Sequence, residues 1–415
     1  MRRTSPFLII IIMVACGSLG FTDEVGQEIS PWVPGTMEIH QISTGRGNSG
    51  LYIFPDGTTL LVDAGEMIRK TERHTPDRPD GTRRAGEWIT RYIRHALRHA
   101  SAPVLDYALL THFHEDHIGE GIQGAPLASN GAYRLSGITE VGDKLPIRTL
   151  LDRGWPEYSL PVPQTAGFIT NYRAFVTWKV ANAGLKAEAF RPGRNDQVTL
   201  RRNAKTYPEF EFRNLGANGI IWTGTGTETR SCFPPLNSQP RADWPDENLF
   251  SISFLIRYGA FTFFNGGDIR GVPYPGAPGW HDLETPLAKV VGPVDAAILN
   301  HHGYLDSMNE TFVSVLQARV WVISVWDSAH PTGSVFQRLL SSRLYPGPRD
   351  VFATDLHEGA RLVIGGIEKR LASAHGHIII RVAPGGKEYR VLTVDDTSES
   401  HRITKISGPY ASKGK

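Results

Sequence analysis

Cysteine is nearly missing from this chain: among 415 residues there are two, Cys16 and Cys232. So few thiols exclude a disulfide scaffold and a thiolate metal cluster, and leave any metal chemistry to histidine and carboxylate side chains. An excess of charge is missing too. Lys and Arg total 44 against 42 for Asp and Glu, a formal net charge of +2. No field of one sign therefore marks nucleic acid or an anionic membrane as partner, and any basic groove must be local. The apolar run Pro6 to Ala15 is about half of the ~20 residues a membrane-spanning helix needs. There is also no P-loop, no glycine turn opening a helix in Rossmann fashion and no Gly-x-Ser-x-Gly elbow, which argues against nucleotide-driven, redox and serine-hydrolase chemistry.

What is present begins with an export signal over residues 1–20: Arg2 and Arg3, then the apolar run, then the small residues Gly17, Ser18 and Gly20. Met13-Val14-Ala15-Cys16-Gly17 also looks like a lipobox, which would make Cys16 a lipidated first residue and tether the chain to one membrane face. Simple cleavage near Gly20 stands beside it. The mature chain is expected to be periplasmic, an outer-envelope lipoprotein or secreted.

With 40% hydrophobic residues, the remainder has ample material for a core. Met37 to Ser43, Gly50 to Phe54 and Thr58 to Val62 read as short strands separated by turn residues. Ala85, Trp88, Ile89, Tyr92, Ile93 and Leu97 recur at helical spacing, which predicts an amphipathic helix on a sheet. Asp106 to Leu110 is the next strand. From about residue 121 to 246 Gly, Pro, Asn and charges dominate, and the stretch is expected to be an elaborated insertion shaping a cleft. A hairpin follows over Phe250 to Tyr258 and Ala260 to Asn265. Later strands are expected at Ala296 to Leu299, Val320 to Val325 and Val351 to Thr354, with a helix near Val335 to Leu344. His377 to Val382 and Glu388 to Val394 form a last hairpin, and the polar tail 397–415 is expected to be loose. The pattern is α/β: one domain over 33–396, with two mixed sheets packed as layers and helices outside.

The chemistry concentrates in Thr111-His112-Phe113-His114-Glu115-Asp116-His117, three imidazoles and a carboxylate directly after an apolar strand. Side chains repeat every second residue in an extended segment, so His112 and His114 point the same way and can share one ion. Asp116 and His117, past the strand end, can turn towards a second ion ~3.5–4 Å away, the spacing of two-metal hydrolases.

The set H-x-H-x-D-H resembles the signature of the metallo-β-lactamase superfamily, and the likeness runs over most of 37–394. It implies an αββα sandwich and a dinuclear metal-dependent hydrolase. Leu60-Leu61-Val62-Asp63-Ala64-Gly65 resembles the family's early Asp-x-Gly strand end, where Asp63 orients a ligand without binding metal. Asn265-Gly266-Gly267-Asp268 resembles the step whose carboxylate bridges both ions. His301-His302-Gly303 resembles the segment supplying the last imidazole, with His302 as ligand and His301 facing substrate. The implied metal set is His112, His114, Asp116, His117, Asp268 and His302, and the implied catalytic residues are Asp116 and His301. Gly45 to Ser49, Asn248 to Ser251 and His330-Pro331 are similar to segments of the extracytoplasmic hydrolase domain of ComEC-type DNA-uptake proteins. Arg46, Asn248 and His330 are accordingly candidates for meeting substrate. No histidine stands between His117 and Asp268, so the first ion lacks the usual third imidazole. Asn248, water or substrate would complete it, and the oxygen-rich shell admits Mn²⁺ as well as Zn²⁺.

Two such ions imply hydrolysis by activated water. The implied substrate is a phosphodiester or related phosphoester, small or nucleic acid. A carboxyl ester, lactone or lactam is the alternative on the same metals, and a secreted binding module with a decayed site is the alternative from outside enzymology.

Overall fold

The computed structural model describes residues 23–121 and 124–414. The export signal and Cys16 lie outside the described residues.

The first six strands are β1 (Met37–Gln41), β2 (Ser49–Ile53), β3 (Thr59–Ala64), β4 (Leu105–Leu109), β5 (Ile147–Asp152) and β6 (Lys186–Ala189). Between them run the helices α1 (Ala85–Ala96), α2 (Glu115–Ile118), α3 (Ile138–Lys144) and α4 (Gly167–Asn182). Eight strands follow: β7 (Phe210–Ala217), β8 (Ile220–Trp222), β9 (Thr229–Ser231), β10 (Ser253–Tyr258), β11 (Phe261–Asn265), β12 (Ala296–Ile298), β13 (Val320–Ile323) and β14 (Asp350–Ala353). Their helices are α5 (Glu284–Val291), α6 (Glu310–Leu316), α7 (Gly333–Leu339) and α8 (Glu358–Ile364). The chain ends with β15 (His377–Val382), β16 (Glu388–Val394) and β17 (Ile403–Ala411).

These strands make two mixed sheets. In the first the order is β17-β16-β15-β1-β2-β3-β4-β5-β6, antiparallel as far as β3 and parallel from there. In the second the order is β14-β13-β12-β11-β10-β7-β8-β9, parallel from β14 to β11 and antiparallel beyond. Both faces of each sheet are covered, which is why the central strands are apolar at consecutive positions. In β3, Leu60 and Val62 enter the layer between the sheets, while Leu61 and Ala64 pack under the helices. Fully burying such a side chain contributes roughly 1.5–3 kcal/mol. The inner layer joins strands of both sheets. Residues of α1, α3 and α4 cover the first sheet and residues of α5, α6 and α7 cover the second. The architecture is the αββα sandwich. Among the described residues no helix is long and apolar enough to cross a membrane.

Two expectations need correction. The segment 121–246 is not an appended insertion: β5 and β6 continue the parallel half of the first sheet, and β7 lies inside the second. Its strands escape notice because edge positions carry charge, as in Lys186-Ala-Glu188-Ala, and because β7 alternates phenylalanine with charged residues. The tail is not loose either. Residues 403–411 form β17, paired antiparallel to β16, and its polar outward side chains with Pro409 suit an edge strand.

Candidate metal centre

At one end of the sandwich the loops leaving β3, β4, β11, β12 and β13 meet. β4 ends at Leu109, and Thr111 then donates its N–H to Asp63 Oδ1 (2.8 Å) and its hydroxyl to Asp63 Oδ2 (2.9 Å). That aspartate is fully buried at the end of β3 with a left-handed backbone, φ 57°. The turn carrying Asp116 packs against Gly65 so closely that a Cβ there would collide with the Asp116 carbonyl. Asn48 reinforces the turn by donating its N–H to the same carbonyl (2.7 Å) and its amide to Asp63 Oδ2 (2.9 Å). Opposite, Asn265 donates to the Tyr52 hydroxyl across the inner layer (3.1 Å) and accepts the Gly267 N–H (2.9 Å), turning the chain into Asp268. Gly267 has φ 56° and sits where a Cβ would press on Thr111 and Ser251. His301 and His302 are consecutive left-handed residues, φ 44° and 52°. Local strain of this kind is held only by surrounding contacts and gathers at functional sites.

These loops bring together His112, His114, Asp116, His117, Asp268 and His302. Ligand atoms of Asp116, His117, Asp268 and His302 all lie within 4.8 Å of one another, and all four residues are buried. Asp116 Oδ2 is 3.0 Å from His302 Nε2 and 3.4 Å from His117 Nε2. Asp268 Oδ2 is 3.2 Å from His117 Nε2, 3.5 Å from His302 Nε2 and 3.8 Å from His112 Nε2. His112 Nε2 is 3.1 Å from His114 Nδ1.

The far nitrogen of three rings fixes the tautomer. His117 Nδ1–H donates to Asp63 Oδ2 (2.8 Å), His302 Nδ1–H to the Ser324 carbonyl (2.9 Å) and His112 Nδ1–H to the Thr111 hydroxyl (3.1 Å). Each near nitrogen is thus a lone pair. With the rings neutral, as metal binding requires, His117 Nε2 and His302 Nε2 face one another at 3.2 Å as acceptors with two carboxylates beside them, and the Trp326 indole N–H lies 3.5 Å from His302. Such a donor set fits divalent cations.

Electrostatics agrees. Burial alone would lower His302, yet Asp268 and Asp116 outweigh it and push the ring up to about 9; His117, facing Asp268, Asp116 and Asp63, is raised well above the usual range against the same burial. Burial would raise both carboxylates, but His117 and His302 hold Asp116 and Asp268 well below the ordinary range. His112 is driven well below by burial and by neighbouring His117. The pocket demands positive charge and concentrates that demand between His117 and His302.

Around this cluster, His301 donates Nδ1–H to Asp306 (2.7 Å), and its Nε2 accepts the Asn248 amide (3.1 Å). Asn248 is engaged by His301 through its amide N–H, while its Oδ1 is buried and without a hydrogen-bond partner. His330 stacks on the His302 ring at 4.8 Å and 19°. Arg46 is buried and gives its Nε–H to the Asp77 carboxylate, with one NH₂ 3.3 Å from His74 Nδ1. Sequence reasoning missed Trp326 and Asp306, because a tryptophan after β13 and an aspartate five residues beyond His301 carry no local signal.

No family model matches the chain, and no curated protein does. Among solved structures it is similar to CmlA, a diiron β-hydroxylase from Streptomyces venezuelae, at 12% identity and TM-score 0.39 over 85% of this chain and 55% of that one. It is similar to Zn²⁺-bound PqqB from Methylobacterium extorquens at 12% identity and TM-score 0.37, covering 80% and 87%. It is also similar to the short form of human tRNase Z at 12% identity and TM-score 0.31, covering 69% and 92%. The chain spans about half the length of the CmlA structure.

Proposed function

We propose that this chain is an exported metal-dependent hydrolase with a dinuclear centre of Zn²⁺ or Mn²⁺, acting on a phosphodiester or related phosphoester. The observation that carries it is the convergence of imidazole lone pairs and two carboxylates at His117, His302, Asp116 and Asp268. His112, His114 and Asp268 would hold one ion, and Asp116, His117, Asp268 and His302 the other. When bound, such ions supply Lewis acidity and activate water.

The chain's own groups do the rest. Asp63 keeps the His117 proton on Nδ1 so that Nε2 stays free, and Thr111 does the same for His112. Asp116, held ionised by His117 and His302, would accept a hydrogen bond from the attacking water and orient it. His301, anchored by Asp306, would hold a proton at Nε2 for the departing oxygen. Turning the Asn248 amide over would let its unpartnered Oδ1 accept that proton's bond, so the pair accommodates either state of the ring. The phosphoester preference draws on two cations being able to stabilise the attacking and leaving oxygens together, and export draws on the N-terminal residues alone.

Metal analysis of gently purified protein, followed by assay of the metal-loaded enzyme on bis-p-nitrophenyl phosphate and on a chromogenic lactam, tests this. Turnover of the phosphodiester is expected. Turnover of the lactam alone transfers the site to carbonyl substrates, and retention of less than about one ion per chain favours a binding module. Mass spectrometry of the mature N-terminus separates lipidation at Cys16 from cleavage near Gly20.

A further inference from the structure

The parallel strands of the first sheet begin at the end opposite the candidate metal centre: β4 runs from Leu105 there to Leu109 near His112. At that end lies an open cleft of about 620 Å³, within the range of small-molecule sites. Four cations from three segments line it: Arg148 of β5, Lys186 of β6, and Arg201 and Arg202 of the loop before β7. They face two carboxylates. Asp106 is shared between Arg202 (2.8 Å) and Arg148 (3.5 Å) while also accepting the Thr59 N–H (3.0 Å), and Glu188 takes Lys186 (2.6 Å). Among the described residues no carboxylate pairs with the Arg201 side chain. Its guanidinium lies 4.6 Å over the Tyr107 ring, with one NH₂ 3.4 Å from the Thr149 hydroxyl, so the stacking fixes its plane and leaves most of its donors unspent.

The local excess of positive charge matches the +2 of the entire chain. Arg148, Arg202 and Lys186 are paired but solvent-exposed, so they can turn to an added anion, while Arg201 meets the cleft with donors unspent. Arginine forks suit phosphate in particular, since they donate two parallel hydrogen bonds to it. Pro146, Ile147 and Ala183 also border a neighbouring hollow of about 370 Å³ whose apolar walls are Leu145, Phe175 and Leu185.

We propose that this double cleft is a binding site for an organic phosphate, with its phosphate on Arg201, Arg148 and Lys186 and its apolar body over Pro146 and Ile147. The site is separate from the candidate metal centre and shares no residue with it.

Calorimetric titration of the metal-loaded protein with naphthylmethylphosphonate, which has no ester to cleave, and with inorganic phosphate tests the proposal. The phosphonate is expected to bind the cleft more tightly than inorganic phosphate does, and any further binding at the metal centre should disappear in Asp268→Asn while the cleft's affinity stays. Affinity should fall about ten-fold or more in Arg148→Ala/Arg201→Ala, where two charged hydrogen-bond donors are lost. It should be partly kept in Arg201→Lys and unchanged in Lys205→Ala and in Asp268→Asn, each variant first shown to melt like the parent. Three results overturn it: no binding of either probe at about 10 mM, a concentration that detects even weak sites; binding lost in Asp268→Asn but intact in the double arginine variant, which locates the anion at the metal centre; or inorganic phosphate binding as tightly as the phosphonate, which removes the apolar half.

Discussion

Among the described residues, two clusters of buried and half-buried histidines behave in opposite ways. One is the candidate centre. The other lies beneath α1, where His40 bonds Tyr92 (3.0 Å) and Glu38 (2.9 Å), His377 accepts the Ser43 N–H at Nδ1 (3.0 Å), and His95 stacks on His401 at 3.9 Å. In this second cluster burial, and then the nearness of His401, push His95 and His377 down to about 3. Its carboxylate, Glu38, is already spent on Arg381 and His40. In the candidate centre burial is as complete, yet His117 and His302 go up because Asp116 and Asp268 face them unneutralised. Counting imidazoles therefore does not find a metal site. What distinguishes one is an oxygen acceptor holding each far nitrogen and free carboxylates facing the near one.

The sharpest way to break this contrast is to remove ligands from one side only. His114→Ala is expected to take hydrolysis to background with an unchanged circular dichroism spectrum, whereas His377→Gln should leave turnover intact; equal losses would erase the distinction, and unchanged turnover in His114→Ala would remove that ring from the metal set. Asp63→Asn should weaken metal binding by roughly 10–100-fold in chelator competition, the usual consequence of losing a group that orients a ligand ring. Zinc at about 100 times its dissociation constant should raise unfolding free energy by about 2.7 kcal/mol if only the folded chain binds it. The same increment should persist in His95→Phe and vanish in Asp268→Asn.

The smallest effect concerns acid. His95 and His377 titrate far lower in the folded chain than the 6.5 of a free ring, so below that value the unfolded chain binds protons that the folded one refuses. Their contribution is complete above pH 6.5 and is lost as pH falls from there towards 3. Urea titrations of the zinc-loaded protein from pH 7.5 to 5 should show falling stability, with a shallower fall in His95→Phe, which keeps a ring against His401. An equal slope in both would show that this cluster does not set acid sensitivity.

Much of this was readable from residues alone, where pattern and burial coincide. β15 and β16 begin and end where the apolar runs and the Pro384-Gly385-Gly386 turn place them, and α1 follows its apolar spacing to within a residue. The approach of Asp268 and His302 to the histidine loop, across more than 150 residues, was legible only through resemblance, because no local period encodes contact between the two sheets. The edge strands β6 and β17 stayed hidden for the reason they are tolerated: solvent, as much as the core, chooses their side chains. Asp306 and Trp326 were invisible because their roles depend on neighbours brought by other loops.

The last strand has a practical bearing on how the protein is handled. β17 covers the outer backbone of β16, and just beyond it Lys413 donates its N–H to Asp295 (2.8 Å) while Tyr410 bonds Asp350 (2.5 Å), both on the second sheet. The carboxyl end thus works as a clasp between the two layers. Trimming it in an expression plasmid would bare a seven-residue ribbon, β16, rich in valine and leucine and open to pairing with its counterpart on another molecule; a shortened product should come out of the cell as aggregate even though every residue of the metal pocket is still encoded.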